Sequence, residues 1–298
     1  MGIADSYFNA TGMAENQDHP KSQAADNHID QNNPELQNAL QIIQYTRRSL
    51  FLTGKAGTGK STFLRYIAAH TKKKHIILAP TGIAAINAGG STLHSFFKLP
   101  FHPLLPNDSM FSVRNIRNTL KYNSEKIKII REVELIIIDE ISMVRADIID
   151  FIDKVLRIYS RNMREPFGGK QLLLVGDIYQ LEPVVKEDDR RLLAPFYRSN
   201  FFFDAKVFDY FKLVSIELRK VYRQSDPTFI TILDHIRTSQ VSMSDLQKLN
   251  QRVGACLDES DSKLAITLST RRDTVDYIND SQLKLLPDEG RTSHLHQK

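Results

Sequence analysis

The chain has 298 residues, enough for one large domain or two smaller ones, and its 41% hydrophobic and 25% charged content is typical of globular proteins. No apolar run approaches the roughly 18 residues of a membrane span, and no charged-then-apolar secretory signal opens the sequence. A single cysteine, Cys256, excludes an internal disulfide framework and a cysteine zinc cluster, so a reducing cytosol is expected.

Charge is distributed unevenly along the chain. The net charge is +5, but residues 1–33 carry five acidic residues against Lys21 alone, which leaves 39 basic and 30 acidic residues in the remainder. A basic body suits a polyanionic partner, although lysines scattered over solvated faces are the common alternative. Residues 1–33 are also polar and without periodicity, which predicts a disordered acidic tail. Because this segment lacks arginine, it is unlike a mitochondrial presequence, and a cytoplasmic protein is expected.

The first predicted element is a helix that begins at Pro34, with apolar residues at Leu36, Leu40 and Ile43. A short β-prone run follows and ends at Gly54. These two elements lead directly into the most informative stretch of the chain.

That stretch runs from Gly54 to Ser61 and satisfies the pattern G-x-x-x-x-G-K-[ST], with a helical pattern after it. Its glycines let consecutive backbone N–H groups point inward at phosphates, and the following helix adds its positive N-terminal end. Lys60 can reach the outer phosphates, and the hydroxyl of Ser61 can ligate a magnesium ion. The predicted nucleotide-binding residues are Gly54, Ala56, Gly57, Thr58, Gly59, Lys60, Ser61 and Thr62.

The next predicted strand is His75–Ala79, which ends at Pro80-Thr81-Gly82 before a short helix around Ile83–Asn87. Gly89-Gly90 breaks that helix. Ser91 or Thr92 is then expected to cap a short helical segment.

From about residue 98 to 128 the sequence changes character. Three prolines punctuate it, and basic residues follow among polar ones. We interpret this stretch as a small insertion on the main sheet.

Further strands are predicted by continuous apolar runs, and a helix by apolar residues recurring on one face. The strands are expected at Leu135–Ile138, Leu172–Val175 and Val214–Leu218, and the helix at Val144–Tyr159. Strands that alternate with helices predict an α/β fold with a parallel sheet and helices on both faces. Ligands of such sheets bind beyond the carboxyl ends of the strands.

Two acidic residues, Asp139 and Glu140, stand at one of these carboxyl ends. Beside a phosphate loop, Asp139 can hold magnesium through a water shell, and Glu140 can deprotonate the water that attacks the γ-phosphate. For an apolar strand taken alone, an exposed acidic turn would be the simpler interpretation.

Two further residues are candidates for contact with the γ-phosphate. Gln180 follows the next strand, where its amide could sense the phosphate or the attacking water, although a surface glutamine is the plain alternative. Arg223 could supply the positive charge that phosphoryl transfer needs, and a structural ion pair is an equal alternative.

Polar groups at two other strand ends are candidate contacts to nucleic acid. Thr81, Thr92, His94 and Ser95 offer hydroxyl, imidazole and backbone donors to phosphates. Phe96 and its neighbour Phe97 could stack on bases, but aromatic residues at this spacing are more often core, and we predict that they are.

After Arg223, helices are predicted at Thr228–Arg237 and Ser244–Arg252, a strand at Leu264–Leu268, and a helix bearing Val275 and Ile278. A new α/β unit begins here, but the chain ends before it could close a core.

In their order, these motifs resemble the petite integration frequency (PIF-type) DNA helicases, superfamily 1 relatives of RecD, and look most similar to bacterial members. The match extends from about residue 34 to 280. The residues that carry it are Gly54–Ser61, Ala79–Ala85, Thr92–Phe97, Ile138–Met143, Phe167–Gly169, Gly176–Pro183 and Leu218–Gln224.

The resemblance implies a motor of two RecA-like domains that hydrolyses ATP, moves 5′ to 3′ on single-stranded DNA and opens duplexes, forks or G-quadruplexes. In this chain it implies a first motor domain at 34–225 with a wedge at about 98–128, and linker helices with a truncated second domain at 226–298. Roles in repair, recombination and telomere maintenance follow, in a monomer located at the bacterial nucleoid.

The resemblance also implies residue roles. Lys60 and Ser61 fall at the phosphate and magnesium positions, Asp139 at magnesium, and Glu140 at water activation. The γ-phosphate positions are those of Gln180 and Arg223. The strand-contacting motifs contain Pro80, Thr81, Gly82, Thr92, His94 and Ser95.

The chain departs from the family pattern in two places. The glutamine motif that grips adenine is imperfect, so Gln37 is a candidate only. The late motifs of the second motor domain are absent, so the alternative to a helicase is a module that binds ATP and single-stranded DNA without unwinding. A phosphate-loop kinase is disfavoured because Glu140 follows the magnesium aspartate directly and suits water as the nucleophile.

Overall fold

The computed structural model describes residues 29–255 and 266–285. The strands are β1 (Leu50–Gly54), β2 (His75–Ala79), β3 (Ser91–Thr92), β4 (Leu135–Ile138), β5 (Gln171–Val175) and β6 (Val214–Leu218). The helices are α1 (Pro34–Tyr45), α2 (Lys60–His70), α3 (Gly82–Ala88), α4 (Leu93–Phe97), α5 (Val113–Leu120), α6 (Ser124–Glu132), α7 (Ala146–Ser160), α8 (Glu187–Leu193), α9 (Pro227–Arg237), α10 (Met243–Asn250) and α11 (Arg272–Leu283).

Within the described residues, the strands form one sheet of six in the order β3-β2-β4-β5-β1-β6. Every strand pair is parallel, with Leu50 opposite both Leu173 and Val214, and Leu135 opposite Gln171. All residues of β2, β4 and β5 are buried, as expected for strands covered on both faces. The predicted parallel α/β fold is confirmed.

Separate hydrophobic cores lie on the two faces of the sheet. One contains the apolar face of α7, including Ile149, Ile152 and Leu156. The other contains α1 and α2, including Ile43 and Phe63. Both faces are therefore covered, and the loops at the strand ends are the surface on which a ligand can be held.

The stretch predicted as a small insertion on the main sheet, about 98–128, contains a 3-10 turn at Ser109–Phe111, all of α5 and the start of α6. Its apolar residues Ile116, Leu120 and Tyr122 join the same core as α7. The hydroxyl of Tyr122 donates to the carbonyl of Phe97 at 2.6 Å. The insertion is therefore packed on the sheet, because one face of α5 is apolar despite its basic residues.

The predicted limit of the acidic tail at residue 33 is wrong. Residues 1–28 lie outside the described part of the chain, but Ile29 and Asn33 are buried, and Asp30 accepts hydrogen bonds from Lys220 and Tyr222. Asn33 also caps α1, accepting from the N–H of Leu36 at 3.1 Å. Local composition did not reveal these contacts because their partners lie about 190 residues away.

The chain divides into two compact units, residues 1–240 and 241–298. In the second, α10 begins with a capping box between Ser242 and Asp245. The predicted strand at Leu264–Leu268 is not formed over Ile266–Leu268, which are exposed, while residues 264 and 265 lie outside the described residues. The described neighbours in this unit are helices, so these residues have no strand to pair with.

None of the described helices is long and apolar enough to cross a membrane.

Gly90 sets how closely β3 approaches β2. A Cβ at this position would lie 2.7 Å from the carbonyl carbon of Ile77 and closer still to its oxygen. We expect Gly90→Ala to lower the free energy of unfolding by about 1–3 kcal/mol, because backbone would have to move. Chemical denaturation measures this, with Gly82→Ala as the control, since a Cβ there meets nothing within 4 Å. Equal stability of the two variants would contradict the packing of β3.

Candidate nucleotide-binding site

The loop between β1 and α2 is shaped by glycines in backbone conformations that other residues rarely adopt. Gly57 and Gly59 have φ angles of +78° and +89°, and Gly59 is the N-cap of α2. A Cβ on Gly57 would lie 2.7 Å from the Cβ of Arg223. The hydroxyl of Thr58 is buried and donates to the carbonyl of Lys55 at 2.9 Å. The loop is thus held curled around the N-terminal end of a helix, as phosphate binding requires.

Lys60 points back into this loop. Its Nζ donates to the carbonyl oxygens of Gly54 at 2.7 Å and Lys55 at 2.9 Å. Burial lowers the pKa of Lys60, while the negative charges of Asp177, Glu140 and Asp139 oppose that shift. The lysine therefore lies within electrostatic reach of the carboxylates that follow β4 and β5.

The predicted acidic pair follows β4 directly. Asp139 Oδ1 accepts the N–H of Glu140 at 3.0 Å, and Glu140 has a left-handed backbone with φ of 49°. Burial raises the pKa of both carboxyls, and the charge of Asp139 raises that of Glu140 further. Such an environment makes Glu140 a better proton acceptor than an exposed glutamate.

These elements enclose a cavity of about 490 Å³. Its lining includes several residues predicted from the sequence, namely Ala56, Gly57, Gly59, Lys60, Ser61, Thr62, Glu140, Gln180 and Arg223. Gly54 and Thr58 do not line the cavity, because they lie on the side of the loop that faces the protein interior. Gln37 does not line the cavity either, although its neighbour Leu36 does, so its contact with adenine stays a prediction.

The other wall of the cavity was not predicted from the sequence; it is formed by Ile29, Asp30, Leu36, Arg65 and Tyr222. The hydroxyl of Tyr222 donates to Asp30 at 2.9 Å and accepts from Asn33 at 3.0 Å. Hydrogen bonds from Lys220 and Tyr222 lower the pKa of Asp30 to about 2. The Val221-Tyr222-Arg223 motif indicated one side of this wall. The local sequence of residues 29–33 did not indicate that they are the partners of Tyr222.

Oxygen groups suited to Mg²⁺ are present at the site. Ser61 lines the cavity from the first turn of α2, and half-buried Asp139 follows β4 without being part of that lining. Magnesium prefers one or two protein oxygens together with waters and phosphates. In the described residues there is no cluster of three His, Cys, Asp or Glu side chains that could hold a metal without such help.

The candidate nucleic-acid residues lie at the carboxyl ends of the next strands along the same edge. The hydroxyls of Thr81 and Thr92 accept from the N–H groups of Ala84 and Ser95, at 3.2 and 3.1 Å, and so cap α3 and α4. Each hydroxyl still has a proton to donate to a phosphate. The ring of His94 stacks on Phe101 at 5.3 Å.

Burial confirms the prediction made for the two phenylalanines of this region. Phe96 and Phe97 are core residues, 2% and 0% exposed, as predicted. Pro80 and Gly82 flank Thr81 at the surface.

Comparison with known proteins finds helicases that are similar to the chain in sequence and in structure. The family model described as PIF1-like helicase matches residues 31–247. The chain is 34% identical over 241 residues to the ATP-dependent DNA helicase PIF1 of Danio rerio, and 31% identical over 258 residues to the ATP-dependent DNA helicase RRM3 of Saccharomyces cerevisiae. These matches cover 80% and 85% of the chain but 35% and 34% of the two relatives, so the chain spans about a third of their length.

Solved structures of similar proteins are also helicases of the Pif1 type. Pif1 helicase from Bacteroides in complex with ADP-AlF3 and ssDNA superposes with a TM-score of 0.77 at 41% identity, covering 86% of this chain and 58% of that one. Pif1 from Candida albicans superposes with a TM-score of 0.73 at 31% identity, covering 88% and 56%. These matches show that the sheet has the RecA-like fold.

The hydroxyl of Tyr222 tests whether residues 29–33 belong to the site. Tyr222→Phe keeps the ring beside Gly59 but removes the hydroxyl that hydrogen-bonds both Asp30 and buried Asn33. We expect a loss of about 1 kcal/mol in the free energy of unfolding, measured by denaturant titration.

The matched control is Tyr45→Phe, whose residue is 81% exposed and should tolerate the change. If both variants unfold like the parent chain, the segment is not packed as described.

Proposed function

The chain belongs to the PIF1-like helicase family, and from that premise we propose that it forms the ATP-binding motor part of a DNA helicase that moves 5′ to 3′ on single-stranded DNA. The observation that carries the proposal is the order of groups along one edge of the sheet. From β3 to β1, that edge presents Thr92, Thr81, Asp139-Glu140, Asp177 and the phosphate loop in turn. Candidate DNA contacts and candidate nucleotide contacts are therefore carried by adjacent strands.

In the proposed reaction, the backbone N–H groups of the loop and the ammonium of Lys60 hold the phosphates of ATP. Glu140 accepts a proton from the attacking water, a role consistent with its raised pKa. Gln180 and Arg223 both line the cavity, where they can contact the γ-phosphate. Magnesium, held by Ser61 and Asp139 when bound, would neutralise charge on the phosphates.

For DNA, the proposal uses the ends of β2 and β3. Donors at Thr81, Thr92, His94 and Ser95 would contact the backbone of one strand. The insertion at about 98–128 would act as the wedge that separates a duplex. Residues 34–225 would be the first motor domain, and residues 226–298 linker helices with the start of the second.

Further parts of the proposal rest on the family alone. They are forked and G-quadruplex DNA as substrates, roles in repair, recombination and telomere maintenance, a monomeric state, and a cytoplasmic, nucleoid-associated location in a bacterium.

A module that binds ATP and single-stranded DNA without unwinding is the second candidate, favoured by the presence of the cavity and of the polar strand ends on one sheet, which is sufficient for binding. Motors of this kind act by closing two domains around ATP. A fluorescent fork assay separates the candidates. Strand separation by the 298-residue chain alone would reject the binding-module alternative.

Lys60 tests the nucleotide site. We expect Lys60→Ala to weaken ATP binding at least tenfold and to abolish any DNA-stimulated hydrolysis, because the phosphates lose their main positive charge. Titration with a fluorescent ATP analogue and a phosphate-release assay measure both effects. Lys72→Ala, at an exposed position after α2, is the control and should behave as the parent chain. Unchanged binding in Lys60→Ala would reject the site.

Salt tests the DNA surface. Binding to single-stranded oligonucleotides should be insensitive to sequence, and log K should fall linearly with log salt, with a slope of about −0.7 for each phosphate neutralised. Fluorescence anisotropy from 50 to 300 mM salt measures the slope. A measurable affinity that did not change with salt would contradict a backbone-tracking surface.

A further inference from the structure

The carboxyl group of Asp177 connects the nucleotide cavity to a distant helix. Asp177 is buried after β5, with its side chain 1% exposed. It accepts the N–H of Tyr179 at 3.1 Å and the side-chain amide of Gln180 at 3.3 Å. It also accepts from Arg237 of α9, by Nε at 3.0 Å and by Nη2 at 2.9 Å. One buried carboxylate therefore holds both the loop that carries Gln180 and a residue sixty positions later.

Arg237 makes two kinds of contact with this loop, one with a carboxylate and one with an aromatic ring. Its guanidinium carbon lies 4.3 Å from the centre of the Tyr179 ring, while its nitrogens engage both oxygens of Asp177. Its own side chain is only 14% exposed. A planar fork that pairs with a carboxylate and stacks on a ring is a geometry that lysine cannot reproduce.

The same helix has a second ionic contact, to the phosphate loop itself. Asp234 pairs with Lys55, whose carbonyl oxygen accepts from Lys60 at 2.9 Å. This pair is more exposed, with both side chains at 31%. Helix α9 is thus tied to the two loops that flank the position of a γ-phosphate.

We propose that Arg237 is a positioning residue that, through Asp177, holds the amide of Gln180 where it distinguishes ATP from ADP. This inference rests on the proposed function, because it assigns Gln180 to the γ-phosphate. Gln180 is exposed and lines the cavity, so its orientation depends on its bond to Asp177. Without Arg237, the buried carboxylate would keep only the neutral donors of Tyr179 and Gln180.

The test compares two nucleotides that differ by the γ-phosphate. ATPγS and ADP are titrated by calorimetry against the full chain and against Arg237→Gln. We expect Arg237→Gln to bind ATPγS about tenfold more weakly and ADP within about twofold of the parent chain, because Gln180 acts on the γ-phosphate only. Ile236→Ala is the control on the same helix, because Ile236 is 45% exposed, and it should leave the ratio of the two affinities unchanged. Loss of both affinities by the same factor in Arg237→Gln would overturn the proposal, since a purely structural residue would behave in that way.

A double variant makes the test independent of folding effects. If Arg237 acts through Gln180, then Gln180→Ala together with Arg237→Gln should discriminate the nucleotides no worse than the poorer single variant. Additive losses would show that Arg237 acts by another route. Failure of the parent chain to bind either nucleotide would instead reject the proposed function, so the two failures are distinguishable.

Discussion

Parallel pairing of β4 and β5 beside β1 is the constraint on which the site depends. Because Leu135 lies opposite Gln171 and Leu50 opposite Leu173, the three strands end at the same level. Hydrophobic cores cover both faces of these strands, so the polar residues of this region lie at the strand ends. Lys60, the Asp139-Glu140 pair and Asp177 are close neighbours for that reason, although they are spread over more than a hundred positions of the sequence.

The electrostatics of this edge follow from its packing. Burial lowers the pKa of Lys60 and raises the pKa values of Asp139 and Glu140, which favours the neutral form of each group. The attraction between the lysine and the two carboxylates opposes these shifts. Such a cluster is costly to keep dry and charged, and clusters of this kind are typical of sites that bind a highly charged ligand. The relatives with solved structures that hold ADP-AlF3 or single-stranded DNA share this fold at 41% identity or more.

Much of this arrangement could be predicted from local sequence. The bounds of β2 and β4 agree with their apolar runs, and the phosphate loop and Asp139-Glu140 were recognisable from spacing next to a strand. The contacts that sequence could not predict are long-range. Asp30 with Tyr222, and Asp177 with Arg237, join segments whose local composition indicates only a tail and an ordinary helix. The insertion was expected on the main sheet, but its helices were not predicted, since basic residues on the outer face of α5 concealed the buried Ile116 and Leu120.

The central claim is that one nucleotide is held between the phosphate loop and the carboxyl ends of β4 and β5. A crystal structure of the 298-residue chain with ATPγS and Mg²⁺ tests this most directly. We expect the γ-thiophosphate to lie between Lys60, Glu140 and Gln180, with a metal ion close to Ser61 and Asp139. A nucleotide bound away from this cavity, or phosphates that contact neither Lys60 nor the loop before it, would contradict the account.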